Sequence, residues 1–317
     1  MTPAQPNSTL PDAFLEARPN SPQLPITNYQ LPIPHQSLNQ LAAEALQISR
    51  TSPRQGWQLM VDVEAAIQFQ KDDFLAAKAA WYHGRLANEY GRPILAHAAL
   101  DRAEQLFTNF NEPGWKAAVL WQRHALPWAS ANLALAIQAL ETAAGILENS
   151  PAPRSAFVPH CRLTLAYAKL LKGSFNGLPE LLQQCLDYFT ETNDLLYQAR
   201  THFVHSGYLR RTAPYEQAKA ASLRGLEQAQ AANAAADIAR FHLQIGFNHW
   251  LGDGNFEAAA ESFKTAADEF QALDMPGWLA QCQDGLAQVY IMTGRLAEAT
   301  ALIENALTIF RDEVVIG

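Results

Sequence analysis

The chain has 317 residues, 49% of them apolar and 17% charged, and a formal net charge of −8 at pH 7. Because the charge is negative and no run of Lys or Arg occurs, the sequence offers no basic surface, and we expect no nucleic-acid partner. No apolar stretch approaches the roughly 18–20 residues that span a bilayer, so we expect no membrane partner either. Frequent Ala, Leu and Gln with few β-branched residues favour helix over strand.

The three cysteines indicate a reducing compartment. Cys161, Cys185 and Cys282 are odd in number and lie inside helical patterns. We interpret them as small core residues of a reduced protein. The N-terminus has no basic segment followed by an apolar one, as a secretory signal would. We therefore predict a cytoplasmic protein.

The first element in chain order is a proline-rich leader at residues 1–35. It holds eight of the eighteen prolines and only three charged residues. Because proline lacks a backbone N–H group, this density predicts an extended, disordered segment. Three interpretations stay open: a simple leader, a docking segment for another protein, or a segment whose residues 26–29 lie along the helical region.

From residue 37 onward the sequence repeats itself about every 40 residues. A small residue is followed by a large apolar residue four positions later, a second small residue three after that, and a final large apolar residue. Residues 91–107 and 294–310 show this pattern most clearly, and the copies begin near residues 56, 96, 136, 178, 218, 259 and 299. Each copy predicts a pair of amphipathic helices. The predicted pairs are 37–49/53–69, 72–90/93–109, 115–129/132–149, 154–172/175–191, 194–211/214–231, 234–252/255–273 and 277–293/296–312.

Glycines and prolines stand where such helical hairpins turn. Within hairpins we predict left-handed glycines that end the first helix, at Gly91, Gly173, Gly254 and Gly294. Prolines open second helices, where a missing N–H group costs little, at Pro53, Pro93 and Pro214. Between hairpins, the Pro-Gly-Trp sequence of residues 113–115 recurs at residues 276–278. It therefore indicates a shared way of starting the next hairpin.

The pattern resembles the tetratricopeptide repeat (TPR) family. In the last copy the matching residues are Ala287, Tyr290, Ala299, Ile303 and Ala306. The resemblance implies an all-α, right-handed α-solenoid of about seven TPR-like hairpins over residues 36–317. The period of 40 rather than 34 is similar to the longer repeats of kinesin light chains, MalT-type activators and bacterial proteins with a CHAT domain.

We find no motif for catalysis, nucleotide binding or zinc. His202 and His205 are one helical turn apart, but no third metal ligand is indicated. His160 and Cys161 are sequence neighbours on a helix and point in different directions, which makes them a poor base and nucleophile. We therefore predict no enzymatic activity, no cofactor and no metal.

Binding is the function that the resemblance implies, since the first helices of TPR hairpins line a concave groove. Transferring that register predicts the groove residues Trp81, Arg85, Trp121, Trp128, Tyr167, Arg200, Phe203, Arg210, Arg211, Arg240, Phe247 and Trp250. Aromatic and arginine side chains are frequent interface anchors, and arginine pairs with carboxylates. The groove therefore predicts a protein or peptide partner that is acidic and carries apolar anchors. Two alternatives stay open: Trp81, Trp121 and Phe203 would also suit the core, and the arginines a solvated surface.

Two functions follow from these observations. The first is a protein-interaction scaffold, the recognition arm of a larger signalling or effector protein. The second is a small-molecule sensor of the MalT type, with a sugar or metabolite in the groove. The sequence of residues 312–317 predicts no further capping helix, so we expect the chain either to continue or to associate at this end, for example with a second copy.

Overall fold

The computed structural model describes residues 35–68, 72–152 and 154–311. Within these ranges the chain forms fourteen α-helices and no strand. The helices are α1 His35–Ser49, α2 Pro53–Gln68, α3 Asp73–Glu89, α4 Pro93–Thr108, α5 Pro113–Arg123, α6 Leu133–Glu148, α7 Val158–Lys172, α8 Leu178–Glu191, α9 Leu195–Thr212, α10 Tyr215–Ala231, α11 Ala235–Asn248, α12 Phe256–Ala272, α13 Pro276–Met292 and α14 Leu296–Ile309. They form seven consecutive hairpins, which confirms the predicted all-α solenoid. Residues 1–34, and with them almost all of the predicted leader, lie outside the described residues, as do residues 312–317.

Helix α5 differs most from the prediction, while α7 begins at Val158 and not at residue 154, and α8 begins at Leu178 and not at residue 175. Helix α5 ends at Arg123 and not near residue 129, because Pro127 disfavours helix at the residue before it and a 3-10 turn follows at Pro127–Ala129. Helix α11 is extended by a π-helical turn at His249–Asp253. One residue more separates the small residues Ala239 and Ala259 of the sixth hairpin than separates Ala199 and Ala218 of the fifth. A π-helical turn is wider than an α-helical one and absorbs this extra residue.

Residues with left-handed backbone conformation occur both in the turns within hairpins and in the turns between hairpins. The four glycines predicted there have φ values of 68° to 79°: Gly91, Gly173, Gly254 and Gly294. The turns between hairpins use a different residue type, with φ values of 49° to 56° at Asn111, Asn193, Asn233 and Asp274. Asn and Asp tolerate this region better than other residues with a Cβ atom. The sequence pattern alone did not reveal this second set.

Aromatic pairs join successive hairpins. Phe107, at the end of one hairpin, stacks on Trp115 of the next, with ring centroids 5.1 Å apart and planes at 8°. Phe270 stacks in the same way on Trp278 at 5.8 Å. In both pairs the partners are eight residues apart, and both tryptophans belong to the Pro-Gly-Trp sequences. The recurring motif therefore places an aromatic ring on the hairpin that precedes it.

The solenoid curves until its two ends meet. One apolar core contains residues of both the first two and the last two hairpins. The backbone N–H of Ala235 donates to the carbonyl of Arg50 at 3.1 Å, and Trp278 packs edge-on against Trp128 at 5.3 Å. Gly91 lies so close to the Trp278 ring that an added Cβ would be 2.7 Å from it. The first helices of the hairpins therefore surround an enclosed space.

No helix in the described part of the chain is long and apolar enough to cross a membrane. The same residues contain no group of three or more His, Cys, Asp or Glu side chains that could hold a metal ion.

Candidate binding site

The enclosed space is a central cavity with about 760 Å³ of empty volume, counting the solvent at its open mouth. Helices α3, α5, α7, α9, α11 and α13, the first helices of six successive hairpins, contribute its walls. Six of the twelve predicted groove residues line it: Arg85, Trp121, Tyr167, Arg200, Phe203 and Arg240. The wall therefore carries both aromatic and guanidinium side chains.

Trp81 does not lie on the cavity. It is fully buried and packs against Trp115 at 5.5 Å and Phe157 at 5.0 Å. The structure thus places Trp81 in the core between hairpins, which is the alternative that the sequence left open. Trp121 and Phe203 differ from it because they both pack in the core and line the cavity.

The other five predicted residues, Trp128, Arg210, Arg211, Phe247 and Trp250, lie outside the cavity wall. Trp128 packs on Trp278, and Trp250 lies in the π-helical turn. Arg210 donates to the side chain of Asn248 at 3.2 Å and lies over the ring of Phe247. Arg211 donates to the carbonyl of Leu170 at 2.5 Å.

The superhelical twist explains why four of these residues, Arg210, Arg211, Phe247 and Trp250, lie outside the cavity wall, whereas Trp128 lies beyond the end of α5. Helix α3 lines the cavity near its end, with Arg85 and Glu89, whereas α9, α11 and α13 line it near their beginnings, with Tyr197, Asp237 and Trp278. The lining position moves along the first helix from one hairpin to the next. A fixed register therefore selects lining residues such as Arg85 and Trp121 in the early hairpins, and in the fifth and sixth it adds residues too far along the helix to reach the cavity.

Arg200 is at the centre of an ion-pair network on the cavity wall. Its guanidinium binds Glu89 through two hydrogen bonds of 2.9 and 2.5 Å, and Asp237 through two more of 2.9 and 3.0 Å. Glu89 belongs to the second hairpin, whereas Arg200 and Asp237 belong to the fifth and sixth. The network therefore closes the solenoid across its centre with bidentate pairs, the strongest geometry for such a contact.

Arg240 extends this network. It donates to Asp237 at 2.9 Å and to the backbone carbonyl of Glu89 at 3.0 Å, and it lies over the ring of Trp278 at 4.8 Å. Burial alone would raise the pKa of Glu89, but Arg200, with smaller contributions from Arg240 and Arg85, lowers it to about 2. The pKa of Asp237 is also lowered, because Arg200 and Arg240 together outweigh its burial. Both carboxylates are therefore ionised near pH 7.

Arg85 differs from these two arginines because it forms no salt bridge with any described residue. It donates to the hydroxyl of Tyr197 at 3.0 Å and lies over the ring of Trp121 at 5.6 Å. Burial and the nearby Arg85 cation lower the pKa of His160 to about 3, so its imidazole is neutral near pH 7. Three arginines thus face two carboxylates, and the cavity carries a net charge of +1 in a protein whose net charge is −8.

Sequence reasoning missed Glu89 and Asp237, although the repeat contains a signal for Asp237. Equivalent positions in five other hairpins carry large apolar residues, at Leu75, Trp115, Phe157, Tyr197 and Trp278. Only the sixth hairpin has a carboxylate there, and Asp237 is 3% exposed. A charge at a core position of a repeat requires a buried partner, so this departure indicates a site.

Comparison with models of protein families gives no match, and comparison with curated proteins gives none. Among solved structures, a Rap protein complexed with competence and sporulation factor superposes with a TM-score of 0.69 at 18% identity, over 88% of this chain and 78% of that one. The chain has a TPR-like helical-repeat fold. A second structure, BtubC (BKLC) from P. vanneervenii, gives a TM-score of 0.43 at 14% identity, over 87% of this chain and 89% of that one. At 18% identity the likeness to the Rap protein extends to the fold alone, and the specific type of long repeat stays a prediction.

Proposed function

We propose that the chain is a non-enzymatic interaction protein that binds a peptide, or a short segment of a partner protein, in the central cavity. The observation that carries this proposal is the cavity wall, to which six hairpins contribute aromatic and guanidinium side chains around one space. Trp121, Tyr167 and Phe203 offer flat apolar surface for side chains of the ligand. Such aromatic residues dominate the free energy of binding at protein interfaces.

The hydrogen-bonding groups of the wall favour an acidic ligand. Arg85 has no carboxylate partner among the described residues, and Arg200 and Arg240 already hold both carboxylates. Two further buried donors, Nε of Arg240 and Nε1 of Trp278, have no acceptor in the described structure. Because buried donors without acceptors are costly, a ligand that supplies carboxylate or carbonyl oxygens would be stabilised here.

The structural comparison supports a binding role. The Rap protein of similar fold was solved as a complex with competence and sporulation factor. By analogy of fold alone, we propose that this chain also holds a partner, as the recognition arm of a signalling or effector protein in the cytoplasm.

A second candidate is a small-molecule sensor of the MalT type. The cavity wall is largely apolar and aromatic with a few convergent charged groups, which is the lining usual for small-molecule sites. A melting-temperature screen with sugars and metabolites separates the two, because a ligand that binds only the folded chain raises its melting temperature.

Selection of peptides from a random library on the purified chain tests the proposal. We expect enriched peptides to combine acidic and aromatic or aliphatic residues. The change Arg85→Ala should weaken the best peptide about tenfold or more, since a charge-assisted hydrogen bond to a ligand contributes about 1.5–3 kcal/mol. Isothermal titration calorimetry measures this loss.

Arg224→Ala is the matched control, because Arg224 is exposed on α10 and forms no salt bridge with the described residues. It should leave the affinity unchanged. Enrichment of no peptide, or equal weakening by the two arginine variants, would contradict the proposal.

A further inference from the structure

A second cavity adjoins the central one and shares its charged wall. Its empty volume is about 480 Å³, again counting solvent at its mouth. Five residues line both cavities: Arg85, Glu89, Tyr197, Arg200 and Asp237. The ion-pair network is therefore a partition, with the central cavity on one side and this second cavity on the other. The second cavity extends towards the end of α1 and the first residues of α9 and α11.

The second cavity has more cationic than anionic groups. Arg50, Arg85 and Arg200 line it together with Glu89 and Asp237, which leaves one net positive charge. Arg200 binds both carboxylates. Neither Arg50 nor Arg85 forms a salt bridge with a residue in the described ranges. Two half-buried guanidinium groups thus share one small space in which neither is bound directly to a carboxylate, although the charge of Arg85 helps to lower the pKa of Glu89.

Tyr90 provides an independent observation. Its side chain lines the second cavity and is 2% exposed, yet its hydroxyl has no hydrogen-bond partner in the described structure. Burial, helped by the charge of Asp274, raises the pKa of Tyr90 above its usual value, so the hydroxyl keeps its proton. A buried hydroxyl of this kind needs an acceptor. The Ser49 hydroxyl beside it already donates to the carbonyl of Leu46 at 2.8 Å.

We propose that the second cavity binds an oxyanion, a carboxylate or a phosphate group, between Arg50 and Arg85, with Tyr90 as a further donor. Guanidinium groups match the geometry of both anions, because their N–H groups form parallel pairs of hydrogen bonds. Arg85 also lines the central cavity, so this site is tested at Arg50 and Tyr90, which line only the second cavity. The observations that carry it are two cations without carboxylate partners and one buried donor without an acceptor.

Titration of the full chain with inorganic phosphate, and separately with succinate, tests this site by calorimetry at constant ionic strength. We expect saturable binding of at least one anion. Arg50→Gln should weaken it about tenfold or more, and Tyr90→Phe about three- to tenfold, since each removes a donor to the anion. The tighter of the two anions identifies the chemical class of the ligand.

Two controls separate binding from general effects. Arg224→Gln removes an exposed arginine, and this variant should bind the anion with the affinity of the wild type. Tyr90→Phe should leave the melting temperature without anion unchanged or higher, because the hydroxyl has no partner to lose, whereas a structural role would lower it. Phosphate also stabilises proteins by exclusion from their surface, but that effect does not saturate and is the same in every variant. Absence of saturable binding, or equal titration of the wild type and Arg50→Gln, would overturn the proposal.

Discussion

Replacing Arg200 by alanine is expected to lower the free energy of unfolding by about 3–5 kcal/mol, as removal of one partner from a buried ion pair generally does. The cause is the charge left behind, because Glu89 and Asp237 would lose their shared guanidinium while they remain largely buried. Chemical denaturation at pH 7 measures the loss. Arg211→Ala, on the same helix, is the control: Arg211 is exposed and makes a single hydrogen bond to a backbone carbonyl, so we expect a loss below about 1 kcal/mol.

The loss of stability caused by Arg200→Ala should become smaller as the pH falls. In the wild type the pKa of Glu89 is lowered from 4.5 to about 2, so its contribution to stability is complete above pH 4.5 and is lost as the pH falls towards 2. In Arg200→Ala the main cause of that lowering is gone, and burial destabilises the ionised carboxylates. The difference in stability between wild type and variant should therefore shrink between pH 7 and pH 4.

A double variant separates charge from packing. Arg200→Met combined with Glu89→Gln removes one buried cation and one buried anion, leaves Asp237 paired with Arg240 at 2.9 Å, and should recover most of the stability. A loss that is independent of pH and persists in the double variant would contradict the charge explanation.

Trp81→Ala is the second change for which we expect a large effect, a loss of about 3–5 kcal/mol in the free energy of unfolding. Trp81 is fully buried, and its ring contacts Tyr82, Trp115, Trp121 and Phe157. The cavity that alanine would leave cannot be filled without moving several of these rings. Trp81 does not line the central cavity, but it packs against Trp121 and Arg85, which do, so the fraction of this variant that stays folded should bind ligand with a modest loss of affinity that is small beside the loss of stability.

Trp250→Ala is the matched control for this substitution. Trp250 is half-buried in the π-helical turn. We therefore expect Trp250→Ala to lower the free energy of unfolding clearly less than Trp81→Ala does. Denaturation of the two variants side by side, followed by titration of the folded fraction, provides the comparison. If Trp81→Ala lost binding but little stability, the result would indicate that Trp81 contacts the ligand in the groove.

The periodicity of the chain was sufficient to predict the seven hairpins, because each hairpin depends on local positions that recur every 40 or so residues. Small residues such as Ala96 and large ones such as Phe107 determine how two helices pack, wherever the hairpin lies in the solenoid. The turns were predictable for the same reason at the four glycines. The inter-hairpin Asn and Asp residues could have been found by aligning the copies.

The site was only partly predictable, because it depends on the curvature of the whole solenoid. Small rotations between successive hairpins add up, and they move the lining from the end of α3 to the beginning of α13. They also bring Glu89 to Arg200 although the two are 111 residues apart in sequence. No local sequence pattern predicts a contact between residues so far apart in the chain. Charge reversal at Arg200 or Arg240 would therefore disrupt the fold, and Arg85 is the better position at which to test binding.

The most direct test of the central cavity as a binding site is to fill it. Ala125 lines the cavity and lies between α5 and the 3-10 turn, so Ala125→Trp would place an indole ring in the space without removing any existing side-chain contact. Ala301→Trp, at an exposed position of α14, is the control for adding the same side chain. Calorimetric titration with a peptide selected on the wild type should show at least a tenfold loss of affinity for Ala125→Trp and none for Ala301→Trp, with both variants folded. Unchanged affinity in Ala125→Trp would show that the partner binds elsewhere on the solenoid.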